Sequence, residues 1–454
     1  MSERDPDESN LAAAYATRLL AGLRLEPLRA PSPPALHPAL RWSRSGLMAL
    51  TGAADGPPMM CPVPLAACAD GVLAALASLA PQGAFDGIGG ADLLAERAAI
   101  AGTCRNGSVA PGGACRLLEA ADGWMALNLA RPDDWELLPA WLEAEVAAEW
   151  AAVAAVVRQR PLAALVEQGR LLGLALADAG VQVAPSPAAF VGLVSAVGQR
   201  TPAPALRRPR VLDLSSLWAG PLCSHLLQRL GADVVKLESP QRPDGARNGP
   251  PAFFDLLNAG KRSVALDLKT AEGRAGLRRL IAGADIVIEA SRPRALRQLG
   301  FDAEALVREH GLSWVSLSGH GRGEPQENWI AYGDDAAVAA GLSALMFRAS
   351  GQRLIVGDAI ADPLTGLHAA LAAWASWRQG GGRLLSLSLV EVVRSCLEFG
   401  LPATDAVLRE RQQRWTALAV QDGAARAPHA RSASGPAPAL GAHTDEVLAE
   451  WDAC

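Results

Sequence analysis

From Pro209 onward the chain alternates short apolar runs with amphipathic stretches, and this alternation limits the fold more than any other feature. PRVLDLSS, DVVKLE, RSVALDL, DIVIEA, LSWVSLSG and RLLSLSLV have the length and β-branched content of strands. AGPLCSHLLQRLGA, TAEGRAGLRRLIAGA and AEALVREHG lie between them and have a helical period. Strands that alternate with helices build βαβ units. The expectation is an α/β fold, a doubly wound and mostly parallel Rossmann-like sheet, accompanied by a smaller α+β domain.

The upstream sequence is organised differently. Residues 1–34 are read as an N-terminal arm, with an acidic, disordered start at MSERDPDESN and then the helical LAAAYATRLLAGLRL. Residues 35–200 hold CRNGSVAPGGACRLLEAADGWMALNLA, with strand-like alternation and glycine turns, and the helical WELLPAWLEAEVAAEWAAVAAVV. RTPAPALRRPR marks a boundary near residue 205, so that 206–420 forms the doubly wound unit. Residues 421–454 comprise a low-complexity linker and a last helix, HTDEVLAEW, with Thr444 as its N-cap.

Within 35–200 lies half of an internal repeat. GLMALTGAADGPPMMCPVPLAACADGVLAALASLA, from Gly46, lies without a gap on GLSALMFRASGQRLIVGDAIADPLTGLHAALAAWA, from Gly341. Gly46, Leu47, Leu50, Gly56, Gly71 and Leu76 fall on Gly341, Leu342, Leu345, Gly351, Gly366 and Leu371. Ala67 falls on Asp362, so only the second copy carries a carboxylate at that position. In AIADPLTGLHAAL the aspartate precedes a proline and an apolar helical run, which places Asp362 at an N-cap and Pro363 at N1. A helix N-terminus favours the ionised, nucleophilic carboxylate. Asp-Pro is also an ordinary cap, but the first copy dispenses with it, which argues against a purely structural role.

Composition excludes several classes. No apolar run is long enough to span a bilayer, and no basic-then-apolar leader opens the chain. The net charge of -5 offers no general attraction to nucleic acid or to an anionic membrane. Seven scattered cysteines without CxxC spacing fit free thiols in a reducing cytoplasm, with no zinc site and no disulfide framework. GxSxG is absent, and SGHGRGEP opens no helix, so neither an α/β-hydrolase nor a dinucleotide-binding dehydrogenase is indicated.

VLDLSSLWAGPLCSHLLQRLGADVVKLE resembles the opening of the class III CoA-transferases, the family of formyl-CoA transferase and carnitine CoA-transferase. The likeness continues in order through FFDLLNAGKRSVALDLKTAEGR, DIVIEASRPRALRQLGFD, SLSGHGRGEP, DDAAVAAGLSALM, IADPLTGLHAALAAW and LGAHTDEVL. Residues 40–195 resemble the family's later portion, with ADGWMALNLARPDDW the clearest part of its small domain. The resemblance implies a rearranged fusion with a degenerate partial second copy at the N-terminus. It implies acyl-CoA and carboxylic acid substrates, CoA as a substrate with no permanently bound cofactor, and a homodimer or a pseudo-dimer within one chain. It makes Asp362 the catalytic residue, which forms an anhydride and then an aspartyl-CoA thioester. It assigns Leu217, Trp218, Lys236, Leu266, Lys269, Arg292, Arg297 and Leu299 to the CoA pocket, with Lys261, Arg262 and Arg294 adding charge nearby. Ala290 and Ser291 replace the family's usual Asn and aromatic, and Gln298 replaces an arginine. Two other readings stay open. One is a racemase of the same fold, with His320 as its histidine; the other is a non-catalytic acyl-CoA-binding protein.

Overall fold

The computed structural model describes residues 8–183, 192–196, 207–423 and 425–452. The boundary expected near residue 205 and the first seven residues of the arm lie outside the described residues. The strands are β1 (Cys115–Glu119), β2 (Trp124–Asn128), β3 (Ala175–Asp178), β4 (Gly192–Ala196) and β5 (Arg210–Asp213). They continue with β6 (Asp233–Glu238), β7 (Arg262–Ala265), β8 (Ile286–Glu289), β9 (Ser313–Ser318) and β10 (Arg383–Ser388). Strands β1–β3 form a small antiparallel sheet. The larger sheet has the order β4-β10-β9-β8-β5-β6-β7 and is parallel except for β4. Its inner strands are buried on both faces, which is why they appear in the sequence as continuous apolar runs. The α/β expectation holds.

Connections from β5 run to β6 on one side, while β8 lies on the other, so the order reverses between β5 and β8. Ligands of doubly wound sheets bind beyond the carboxyl ends of the strands at this reversal. Strand β4 was not anticipated. It is a short antiparallel edge strand built from GLVSA, too brief to show a period.

Eight helices carry the argument: α1 (Leu11–Gly22), α2 (Pro38–Arg44), α3 (Leu65–Ser78), α4 (Glu96–Ala101), α5 (Ala219–Arg229), α6 (Gly333–Ala339), α7 (Ala361–Arg378) and α8 (Thr444–Asp452). The two repeat copies share more than sequence. In the register that sets Gly46 on Gly341, α2 coincides with α6, and α3 begins within one turn of α7. Gly46 and Gly341 both have left-handed backbones, with φ of +90° and +99°. Helix α1 crosses α3 at Gly71, where a Cβ would lie 2.6 Å from the Ala12 carbonyl oxygen. Helix α5 crosses α7 at Gly366, where a Cβ would lie 2.6 Å from the Ala219 carbonyl oxygen. Setting Ala12 on Ala219 also brings Leu19, Leu20 and Leu23 onto Leu226, Leu227 and Leu230. The helix of the N-terminal arm is therefore packed against the first copy as α5 is packed against the second. Its Tyr15, Ala16 and Leu19 are buried in the core that both copies share.

The Pro- and Ser-rich stretch before α8 is non-helical but fixed at several points. Pro428 abuts Gly46, Arg431 donates to Glu96 at 2.8 Å, and the Ala437 N–H donates to Asp255 at 2.8 Å. Thr444 does not act as the expected side-chain cap. Its hydroxyl accepts from the Ala265 N–H at 3.0 Å and donates to the Gly441 carbonyl at 2.9 Å, which ties α8 to β7. No helix among the described residues is long and apolar enough to cross a membrane.

Candidate active site

Asp362 is not the N-cap of α7. Ile360 holds that position, and Asp362 is the second helical residue, its N–H bonded to the Ala359 carbonyl at 2.9 Å. Ala359 has a φ of +45°, so the chain reverses there and the helix starts before the Asp-Pro pair. The Asp362 carboxylate accepts from the Gly333 N–H at the start of α6. A side chain at 333 would run into Asp362 Oδ2 and the Ala359 carbonyl, so the approach requires glycine. Asp362 keeps part of its surface accessible.

Two further acids, Asp334 and Asp358, act on it, and Asp335 follows Asp334 in α6. Asp334 accepts from the Ala359 N–H at 2.8 Å. Asp358 is 2% exposed and receives both arms of Arg97, at 2.5 and 2.8 Å. Asp335 accepts from Asn128 Nδ2 at 2.9 Å and from the Tyr332 N–H at 3.0 Å. Burial pushes the Asp362 carboxyl up to about 7, against the pull of Arg97 and with Asp334 adding to the rise. Burial and Asp358 lift Asp334 to about 6, and burial lifts Asp335 to about 7. The expected preference of Asp362 for its ionised form is thus weakened, and both forms are populated near neutrality. Desolvation and like charges outweigh the helix-end amides here.

The residues assigned to a CoA pocket lie on the carboxyl ends of four adjacent strands. Leu217 and Trp218 follow β5, Lys236 is near the end of β6, Leu266 and Lys269 follow β7, and Arg292, Arg297 and Leu299 follow β8. Their surroundings differ. Leu217 is exposed with a φ of +70°, and its N–H donates to Asp244. Trp218 is buried against Phe253, and Leu266 is also buried. Lys269 and Arg292 are exposed, and Leu299 packs partly buried on the core.

Lys236 and Arg297 are engaged elsewhere. Lys236 is buried, 2.8 Å from Asp244 Oδ2, and donates to the Ser215 carbonyl at 2.8 Å, so it supports the Leu217 loop. Arg297 donates to Glu327 at 3.2 Å. Lys261 is buried against Asp213, and Arg262 pairs with Asp233 and Glu450, so neither is a free surface charge. Burial and the guanidiniums of Arg294, Arg131 and Arg242 hold Arg292 below the usual arginine range, so positive charge concentrates beside β8.

Sequence reasoning missed Arg97, Arg131, Arg242 and Asn128. All but Arg242 come from the N-terminal half. No local motif links Arg97 to Asp358 or Asn128 to Asp335, each more than 200 residues away, while Arg131 pairs locally with Asp134. Arg97 also lies over the Trp218 ring, 5.4 Å from its centroid, and so joins the first strand-end loop to the acidic cluster. His320 faces the Trp329 ring and the guanidiniums of Arg170 and Arg394; burial drives it down to about 4. None of the four aspartates is among those neighbours.

Residues 206–444, over half of the chain, match the family model described as CoA-transferase family III. A succinate–glutarate CoA-transferase of Agrobacterium fabrum is 34% identical over 43% of this chain and 53% of its own length. A succinyl-CoA–D-citramalate CoA-transferase of Chloroflexus aurantiacus is 32% identical over 45% of this chain and 54% of its own. A formyl-CoA:oxalate CoA-transferase of Escherichia coli is 31% identical over 40% and 47%. The chain thus spans about half the length of the curated relatives it matches.

Proposed function

The chain belongs to CoA-transferase family III, and we propose that it moves CoA from an acyl-CoA thioester to a carboxylic acid with Asp362 as the nucleophile. The observation that carries this reading is the placement of Asp362. It is a partly accessible carboxylate, contacted by a backbone N–H and joined through Arg97 to the strand-end loop that bears Trp218.

In the proposed cycle the Asp362 carboxylate attacks the thioester carbonyl. The carbon–sulfur bond breaks, giving a mixed anhydride and CoA thiolate. The thiolate attacks the aspartyl carbonyl, expels the donor acid as its carboxylate and leaves an aspartyl-CoA thioester. The acceptor carboxylate attacks that thioester, breaks its carbon–sulfur bond to release CoA thiolate, and forms a second anhydride. CoA thiolate then attacks the acceptor acyl carbon, releasing acyl-CoA and regenerating Asp362. Each step exchanges one anionic nucleophile for another, so orientation and exclusion of water matter more than an acid–base pair. Only ionised Asp362 begins the cycle, and its value of about 7 places the onset near neutrality. Exposed Lys269 and Arg292 at the strand ends would meet the phosphates of CoA. Arg97, Asn128 and Arg131 come from the inert half of the same polypeptide, which supports a pseudo-dimer within one chain.

The test is mass spectrometry of the intact chain mixed with succinyl-CoA or formyl-CoA, followed by peptide mapping. A CoA or acyl adduct on the Asp362 peptide is expected. No adduct at any pH between 6 and 9, with CoA binding retained, would point instead to an acyl-CoA-binding protein.

A further inference from the structure

Asp362 is approached from three elements. Helix α6 brings the Gly333 N–H and Asp334, the segment before α7 brings Asp358, and α4 of the inert half brings Arg97. That is three carboxylates beside one guanidinium. Without the guanidinium, burial and two neighbouring acids both favour the neutral carboxylic acid, which is no nucleophile.

The arginine is held from two sides. Its planar fork engages both oxygens of Asp358, and its face lies over Trp218. About a third of its side chain is exposed.

We propose that Arg97, contributed by the inert half, is a positioning residue of the reactive site, neutralising Asp358 and keeping Asp362 ionised for attack. This rests on the transferase reading for its consequence but not for its electrostatics. A plain staple between α4 and the Asp358 segment would affect folding alone.

The experiment uses the full chain labelled with carbon-13 at aspartate Cγ, and Asp362→Asn identifies the Asp362 resonance. Its titration midpoint is compared in the parent, Arg97→Lys and Arg97→Met. The midpoint should rise by about one pH unit or more in Arg97→Met and stay near the parent value in Arg97→Lys. Adduct formation from succinyl-CoA at pH 6.5 should fall about tenfold in Arg97→Met and recover at pH 9. If Arg97→Met does not fold, Arg97→Gln removes the charge while keeping a hydrogen-bond donor for Asp358, and the same rise is read there. An unchanged midpoint in a folded neutral variant overturns the proposal. If the parent forms no adduct, the transferase reading fails while the midpoints still decide what Arg97 does.

Discussion

The two repeat copies share a backbone and differ in what they bury. In the register that sets α2 on α6 and α3 on α7, Asp334, Asp335, Asp358 and Asp362 fall on Ala39, Leu40, Val63 and Ala67. Ala39, Val63 and Ala67 are at most 2% exposed and simply belong to the core. The scaffold is thus stable in form without any of the four acids. In the second copy the same positions hold three carboxyls with raised values, a cost that packing alone would not select. The first copy holds only apolar side chains at these four positions, while Arg97 and Asn128, from the residues that follow it, reach carboxylates of the second.

Replacing the proposed nucleophile should have the largest effect. Asp362→Ala is expected to lower adduct formation more than about a thousandfold, and an active variant would erase the distinction between the copies. Stability should move the other way. The folded value of about 7 lies above the ordinary 3.8, so the folded state binds the proton more tightly. The contribution of Asp362 is therefore full below pH 4 and is lost as pH rises through 7. Asp362→Asn should accordingly raise the thermal midpoint at pH 8 relative to the parent, with little change at pH 4.

The reverse exchange is next in size. Ala67→Asp puts a carboxyl at a position that is 2% exposed in the apolar core, and should destabilise the chain by roughly 3 kcal/mol in urea unfolding at pH 7. It should gain no adduct on its own peptide. A stable, labelled Ala67→Asp would show that one carboxylate is all the first copy lacks.

Much of this contrast is legible in the sequence. Parallel strands buried on both faces leave uninterrupted apolar runs, so the sheet downstream of Pro209 could be read directly, whereas edge strand β4 could not. Asp362 stood out because its counterpart is alanine in a gapless match. Its exact helical position did not, because the left-handed backbone at Ala359 leaves no mark in an Ala-Ile-Ala-Asp-Pro string. Charge was the least reliable guide. Lys236 and Arg297 have the residue type a phosphate needs, but their acidic partners come from the fold. Arg97 looks like any helix-surface arginine until α4 is placed against the Asp358 segment.

Paired glycine substitutions separate fold from function at a smaller scale. Gly71→Ala and Gly366→Ala each force a Cβ against a carbonyl oxygen at an equivalent helix crossing, and each should cost about 1–3 kcal/mol. Only Gly366→Ala displaces the helix that carries Asp362, so only it should slow adduct formation, by roughly tenfold or more. Equal kinetic effects would mean that the inert crossing also sets the site.

The smallest effect expected is at Asn128, which reaches from β2 to Asp335. Asn128 Oδ1 and Asp335 Oδ2 are both buried and without hydrogen-bond partners, a mismatch that a neutral Asp335 relieves in part. Asn128→Ala removes the 2.9 Å bond to the carboxyl and should cost on the order of 1 kcal/mol. The bond supports the ionised form, so the loss should be greater at pH 8 than at pH 5 in paired urea titrations. A loss independent of pH would mean that Asp335 keeps one charge state throughout, and that Asn128 serves the junction between the halves by packing alone.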